Sequence, residues 1–287
     1  MHIIESPESM ARWRSSVRGD IGFVPTMGAL HEGHMSLVEA SRASHSCTVV
    51  SVFVNPTQFG PNEDFHKYPR PVEIDEAMCL SRGVDVLYRP NVETMYPPGF
   101  QTLVEPGPMA ARWCGASRPG HFRGVCSVVL KLLNQVSPQS IYLGEKDAQQ
   151  LRVIRRMVSD LNVPVQVTGC PIARERDGLA MSSRNRYLSP SQRIGADALF
   201  RGLIAANLAC REGCRHAIDL EAGFRNLLAR EGGWECEYAA VADDDSLEPL
   251  QWVESKALFI VAARRGTTRL IDNMMISGPD SAPMPGD

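Results

Sequence analysis

The sequence predicts an α/β protein, with a parallel-sheet domain over residues 1–174 and a smaller α+β domain over residues 175–287. Three observations carry this expectation. From Ile21 to Cys170, short apolar runs lacking polar alternation take turns with helical patterns, as in strands covered on both faces. Beyond Arg174-Glu-Arg-Asp-Gly178 the order changes to two helical stretches and then three β-rich runs. Finally, 287 residues with 44% apolar and 22% charged side chains suffice for about two domains, each with its own core.

Element by element, Ile21 to Val24 reads as a strand, Pro25-Thr-Met-Gly28 as a tight loop, and the stretch through Met35, Leu37, Val38 and Ala40 as a helix. Cys47 to Val54 is a second strand, which completes a β-α-β unit. A polar, Pro-rich loop (55–71) precedes a helix through Ile74, Ala77 and Leu80 and a strand at Val84 to Tyr88. Pro and Gly make residues 89–121 irregular, with a short helix expected near Met109 to Trp113. Next come a helix from Val125 to Val136, a strand at Ile141 to Leu143, a helix from Asp147 to Leu161 and a strand from Val163 to Cys170. In the second domain, helices are expected at 189–211 and 216–231 and strands near Tyr238, Phe259 and Leu270; the tail from Gly278 to Asp287 is expected to fray.

Thirty basic against 33 acidic residues leave a net charge of −3, so no broad field favours nucleic acid or an anionic membrane. Apolar runs such as Ala257 to Ala263 fall far short of the roughly 18 residues that span a bilayer. Glu5, Glu8, Arg12 and Arg14 interrupt the start, where a secretory signal needs a continuous apolar core, so a cytoplasmic protein is expected. The eight cysteines form no C-x-x-C pair. Cys210, Cys214 and nearby His216 offer too few ligands for a zinc site, and most thiols are expected to be buried.

Four segments carry chemistry. Pro25-Thr-Met27-Gly28-Ala29-Leu30-His31-Glu32-Gly33-His34 sits where the first strand hands over to a helix. There, unpaired N–H groups and the helix dipole favour a phosphate, and glycines admit close approach. A metal held by the His pair and a purely capping role are the competing readings. Asn55 and Gln58 in Asn55-Pro-Thr-Gln58-Phe-Gly60 offer neutral amides for hydroxyls and a carboxylate, although Asn, Pro and Gly also suit a plain turn. In Gly144-Glu145-Lys146-Asp147-Ala148-Gln149-Gln150, the four-residue spacing of Lys146 and Gln150 is expected to set both on one helix face. Met181-Ser182-Ser183-Arg184 brings two hydroxyls and a guanidinium suited to phosphate oxygens, with Ser189-Pro190 as a helix start beyond.

His-x-Gly-His at a strand-to-helix junction resembles the nucleotide signature shared by nucleotidylyltransferases and class I aminoacyl-tRNA synthetases. Together with Arg118-Pro-Gly-His-Phe-Arg-Gly124, Lys67-Tyr-Pro-Arg70 and Gly266-Thr-Thr-Arg-Leu-Ile-Asp272, the four segments resemble the pantoate-beta-alanine ligase family from about residue 20 to 276. The resemblance implies a Rossmann-like N-terminal domain, a C-terminal lid and a homodimer. It implies the ATP-dependent condensation of (R)-pantoate with beta-alanine through pantoyl adenylate, with Mg²⁺ entering alongside ATP and no metal held by the protein itself. Carried over by position, Met27, Gly28, Ala29, Leu30, His31, Glu32, Gly33, His34, Gly144, Glu145, Lys146, Asp147, Ala173, Met181, Ser182, Ser183 and Arg184 line the ATP site. His34 takes the acid role toward the leaving phosphate, and His31, Lys146 and Arg184 join it as catalytic groups. Gln58 contacts pantoate and beta-alanine, Gln150 contacts pantoate, and Asn55 lies with them. Ala173 stands where the family often has Val, and Ala148 where an aromatic is frequent.

Two other functions fit part of this pattern. A nucleotidylyltransferase of another substrate would stop after nucleotidyl transfer, but the amides Gln58 and Gln150 replace the basic acceptor pocket it would need. A nucleotide-binding sensor would keep the pocket without turnover, a role disfavoured by retention of His34, Lys146 and Arg184.

Overall fold

The computed structural model describes residues 1–61 and 63–279; the tail expected to fray lies, from residue 280 on, outside the described residues. The chain forms two compact units, one of Met1–Glu145 and Gln149–Ile172, the other of Lys146–Ala148 and Ala173–Asp287.

In the first unit, six parallel strands stand in the order β1-β4-β3-β2-β5-β6: β1 His2–Ile4, β2 Ile21–Thr26, β3 Cys47–Val52, β4 Val86–Tyr88, β5 Ser140–Gly144 and β6 Gln166–Cys170. Successive strand residues face opposite sides, and both sides are covered. Phe23, Val49, Val86 and Ile141 pack with Met10 of α1 (Pro7–Ser16), Val125 and Val129 of α6 (His121–Val136), and Leu151 and Ile154 of α7 (Ala148–Asp160). Their neighbours Val24, Val50, Leu87 and Tyr142 pack with Met35 and Val38 of α2 (Glu32–Ser44) and Cys79 of α3 (Val72–Ser81). Two-sided burial explains why these strands lack polar alternation in sequence. The chain runs from β2 through β3 to β4 on one side and places β5 and β6 on the other. The strand order thus reverses between β2 and β5, where open α/β sheets form a ligand crevice at the strands' carboxyl ends.

Several expectations need correction. Neither β1 nor α1 is anticipated by the sequence pattern, although Ser6 caps α1 by accepting from Ser9 N (3.2 Å) with Pro7 following it. The apolar face expected on α3 points the wrong way: Ile74 and Leu80 are 58% and 62% exposed, while Asp75 and Cys79 are buried. Strand β2 runs through Pro25 to Thr26; pairing with β5 covers Gly22 and Phe23, so Pro25 breaks no bond on that side. The segment 89–121 contains α4 (Val92–Met95), a 3-10 turn at Pro108–Ala111 and α5 (Cys114–Ser117) rather than a helix through Trp113.

In the second unit, the helix expected over 189–211 is two. Helix α8 (Pro190–Arg193) ends before Gly195, whose φ of +72° is left-handed, and α9 (Ala198–Arg211) begins afterwards. Helix α10 (Ala217–Glu231) follows. Antiparallel strands β7 (Trp234–Ala242), β8 (Lys256–Arg265) and β9 (Thr268–Ser277) form a separate sheet in that order. Phe259, Val261 and Ala263 of β8 bury one face of it against Leu199 and Leu203 of α9 and Leu220 and Phe224 of α10.

Candidate functional site

At the carboxyl end of β2 the chain makes a strained turn. Gly28 has φ +82° and Ala29 φ +52°, and a Cβ on Gly28 would stand 2.9 Å from both Asp75 Oδ2 and Val52 Cγ1. Two backbone donors expected to be available there are already used: Ala29 N and Leu30 N donate to the two carboxylate oxygens of buried Asp75, at 2.9 and 2.8 Å. Gly28 N donates to Thr26 Oγ1 (3.1 Å). Sequence reasoning misses Asp75, because the apolar pattern assigns its helix the opposite buried face; a carboxylate four residues from an apolar Cys79 is the available signal.

The histidines take up the capping role that sequence alone leaves as one reading among three. His31 is the N-cap of α2, its Nδ1 accepting from Gly33 N (3.2 Å), while His34 Nδ1 accepts from His31 N (3.3 Å), a reciprocal capping box made of two imidazoles. The rings lie 4.1 Å apart, centroid to centroid. Because each Nδ1 acts as an acceptor, each neutral ring carries its proton on Nε2. The capping bonds therefore use only the Nδ1 edge of each ring. Among the described residues, no group of three or more His, Cys, Asp or Glu side chains is placed to hold a metal ion.

After β3, Asn55 opens a 3-10 turn at Pro56–Gln58. Asn55 is 1% exposed and fully engaged. Its Nδ2 donates to Gln58 Oε1 and Gly124 O (both 3.1 Å), and its Oδ1 accepts from Tyr96 OH (2.8 Å) and Thr57 Oγ1 (2.9 Å). Such an amide supports the turn and leaves Gln58 as the one able to change partners. Gln58 Nε2 rests on Met27 Sδ (2.9 Å), a weak acceptor that a ligand oxygen would readily replace. Tyr96 is missed because nothing in the irregular 89–121 segment singles it out.

Gln149 and Gln150 divide the labour on α7. Gln149 is buried and ties down the 109–114 segment, donating to Met109 O (2.9 Å) and Arg112 O (2.8 Å) and accepting from Cys114 N (3.0 Å). Gln150 is half-buried. Lys146 lies on a 3-10 turn at Glu145–Asp147 ahead of α7, so the expected single helix face for Lys146 and Gln150 does not exist. The Glu145 carboxylate accepts from the buried Arg152 at 2.7 Å.

Within the second unit, the carbonyl of Lys146 accepts from Asn273 Nδ2 (3.1 Å). Met181 N donates to Ala173 O (2.9 Å), which joins two segments of the anticipated nucleotide site. Ser182 caps the 3-10 turn Ser183–Tyr187 by accepting from Arg184 N (3.3 Å). Behind this loop Arg174 forms a two-pronged pair with buried Asp272 (2.7 and 2.9 Å) and lies 4.0 Å over the Phe200 ring.

Comparison with known proteins supplies an independent finding. A family model described as Pantoate-beta-alanine ligase matches residues 2–275. The bifunctional pantoate ligase/cytidylate kinase of Synechococcus elongatus is 48% identical over 281 residues, which cover 97% of this chain; the chain spans about half, 53%, of that relative's length. The crystal structure of pantothenate synthetase from Thermus thermophilus aligns with TM-score 0.91 and 46% identity over 96% of this chain and 99% of its own. Pantoate-beta-alanine ligase from Francisella tularensis, solved in complex with beta-gamma ATP and beta-alanine, aligns with TM-score 0.80 and 34% identity over 98% and 100% of the two chains. A six-stranded parallel sheet with its two-histidine helix start, found in a chain that this family model matches almost end to end, makes the protein a member of the pantoate-beta-alanine ligase family.

Proposed function

We infer that the chain condenses (R)-pantoate with beta-alanine at the expense of ATP, giving pantothenate, AMP and pyrophosphate through pantoyl adenylate. Family membership supports the reaction. The observation that carries it on this chain is the contact of Gln58 Nε2 with Met27 Sδ, which sets an exchangeable amide beside the turn leading into the histidine-capped helix. An acceptor substrate held by that amide lies next to the residues that would hold a nucleotide.

In the first step a carboxylate oxygen of pantoate attacks the α-phosphorus, and the bond to the bridging oxygen of pyrophosphate breaks. His34 and His31 would present Nε2–H donors to the phosphates, the proton position that their capping bonds favour. Lys146 and Arg184 would neutralise the charge that builds on the leaving group, and Met27 to Leu30, Glu32, Gly33, Gly144, Glu145, Asp147, Ala173 and Met181 to Ser183 would shape the nucleotide site. For Ala29 and Leu30 the contribution would be shape, since Asp75 holds their N–H groups. Gln58 and Gln150 would hold pantoate, with Asn55 fixing Gln58. Mg²⁺ would enter as the ATP complex, as part of the substrate. In the second step the amine of beta-alanine attacks the acyl carbon, AMP departs, and the amine proton is released. No covalent bond to the protein is needed. A cytoplasmic homodimer is part of the same proposal, and light scattering checks the oligomeric state.

Product analysis tests the reading. Mg·ATP, pantoate and beta-alanine should yield pantothenate, AMP and pyrophosphate in equal amounts, and ATP with pantoate alone should give a burst of pyrophosphate stoichiometric with enzyme. ADP and phosphate as products would overturn it.

A further inference from the structure

The carbonyl of Gln58 accepts from a partly buried chain of charged and polar groups that the reaction above does not use. Glu63 receives two bonds from Arg118, at 2.7 Å from Nε and 2.6 Å from Nη2. Arg118 Nη1 lies 3.0 Å from His121 Nε2, and His121 Nδ1 lies 2.8 Å from Gln58 O. Arginine has no acceptor, so it must be the donor to Nε2; the neutral imidazole then carries its proton on Nδ1 and donates it to the Gln58 carbonyl. Arg118 Nη2 also reaches Gln58 O, at 3.3 Å. Burial of Glu63 would by itself raise its carboxyl pKa, but the hydrogen bonds and charge of Arg118, with smaller help from His121 and the Gly60 main chain, together outweigh that and hold it below the usual carboxylate range.

We propose that Glu63, Arg118 and His121 are positioning residues that fix the Pro56–Gln58 turn against the start of α6, so that the Gln58 amide is held in place before substrate arrives. The proposal rests on the reading of Gln58 as a pantoate ligand. Four contacts converge on this turn from one side: the His121 and Arg118 bonds, the Asn55 bond to Gly124 O, and the close approach of Gly124, where a Cβ would stand 2.7 Å from Gln58 N. His121 is 7% exposed, and its imidazole touches the Gln58 main chain, which makes it a support and not a group reaching for a reacting atom.

The test combines His121→Leu, His121→Asn, Gln58→Ala and the Gln58→Ala/His121→Leu double variant, with KM measured separately for pantoate and ATP. Removing one buried hydrogen bond should raise the pantoate KM about tenfold in His121→Leu. The ATP KM should stay unchanged. Asparagine can place an N–H near the position of Nδ1 and should restore most of the loss. In the Gln58→Ala background, His121→Leu should add nothing, because its effect passes through Gln58. An unchanged pantoate KM in His121→Leu, an undiminished effect in the double variant, or failure of asparagine to rescue would each overturn the proposal. If Gln58→Ala itself leaves pantoate binding unchanged, the substrate reading falls and this inference falls with it; a Gln58 effect with no His121 effect overturns the inference alone. Should His121→Leu fail to fold, Glu63→Gln, which weakens the hold on Arg118, should raise the pantoate KM about threefold, and no change would count against the proposal.

Discussion

At the scale of single residues, the observed capping role of His34 and the phosphate role proposed for it fall on two edges of one ring, and these can be separated. Its Nδ1 closes the capping box on His31 N, and its Nε2 edge is the proposed donor to phosphate. His34→Ala should lose both: about 1 kcal/mol of stability from the cap and about 100-fold in adenylation. Glutamine is favoured at the third helical position of a capping box because its side chain can also accept from the N-cap N–H. His34→Gln should therefore melt close to the parent while remaining as poor in adenylation as the alanine variant. Thermal melts beside a pyrophosphate-release assay check this, and equal destabilisation of the two variants would show that the cap does not matter. The candidate site is legible in the sequence at this scale wherever its chemistry sits on one segment, as in His31 to His34. It is not legible where a group acts from a distant segment: Asp75 occupies the Ala29 and Leu30 donors from 45 or more residues away, and Tyr96 reaches Asn55 across 41. Local spacing cannot report such pairings.

Between elements, two glycines in helix interiors should respond to the same substitution with opposite signs. Gly124 lies near the start of α6, and an added Cβ would meet the main chain at Thr57 C and Gln58 N, 2.6 and 2.7 Å away. Backbone cannot swing aside as a long side chain can, so Gly124→Ala should cost about 1 to 3 kcal/mol and weaken pantoate binding by moving the turn that bears Gln58. Gly223 in α10 has open space where its Cβ would be, and Gly223→Ala should gain about 0.5 to 1 kcal/mol from helix propensity alone. Denaturant midpoints for the pair decide the matter; a neutral Gly124→Ala would mean that the helix and turn can separate at little cost. The same contrast explains which elements can be read in advance. Strands buried on both faces, such as β3, announce themselves by β-rich runs without polar alternation, and the helical pattern of α2 marks its own buried side. Helix α3 misleads because Ile74 and Leu80 are exposed and Asp75 is buried, an inversion set by the Ala29–Leu30 turn that Asp75 serves. Strand β1 is three residues long, and its pairing with β4 depends on residues more than 80 positions away.

For the molecule as a whole, a scheme with no covalent enzyme intermediate requires no activated nucleophile, and the thiols are set accordingly. Burial raises the pKa of Cys47, Cys79 and Cys126 to about 12, with nearby carboxylates adding to the effect. Cys170, Cys210, Cys214 and Cys236 are also shifted upward, chiefly by burial. The thiolate is the reactive form, so a raised pKa means that these seven thiols present little of it at neutral pH in the folded chain, whereas in an unfolded chain they titrate near the ordinary value of about 8.5. The direction for stability follows from proton binding. Between the ordinary and the raised pKa the folded state holds more protons than the unfolded one, so these groups favour folding below about pH 8.5 and progressively less above it. Two outcomes are expected. Iodoacetamide at pH 7.5 should leave pantothenate formation essentially intact and label the folded protein slowly, with rapid labelling only in denaturant. Raising the pH from 8 to 10 should lower the unfolding free energy, and the drop should shrink in a variant with Cys47, Cys79 and Cys126 replaced by alanine or valine. Rapid loss of activity tracking alkylation of one of these seven cysteines would contradict their protonated state in the folded protein.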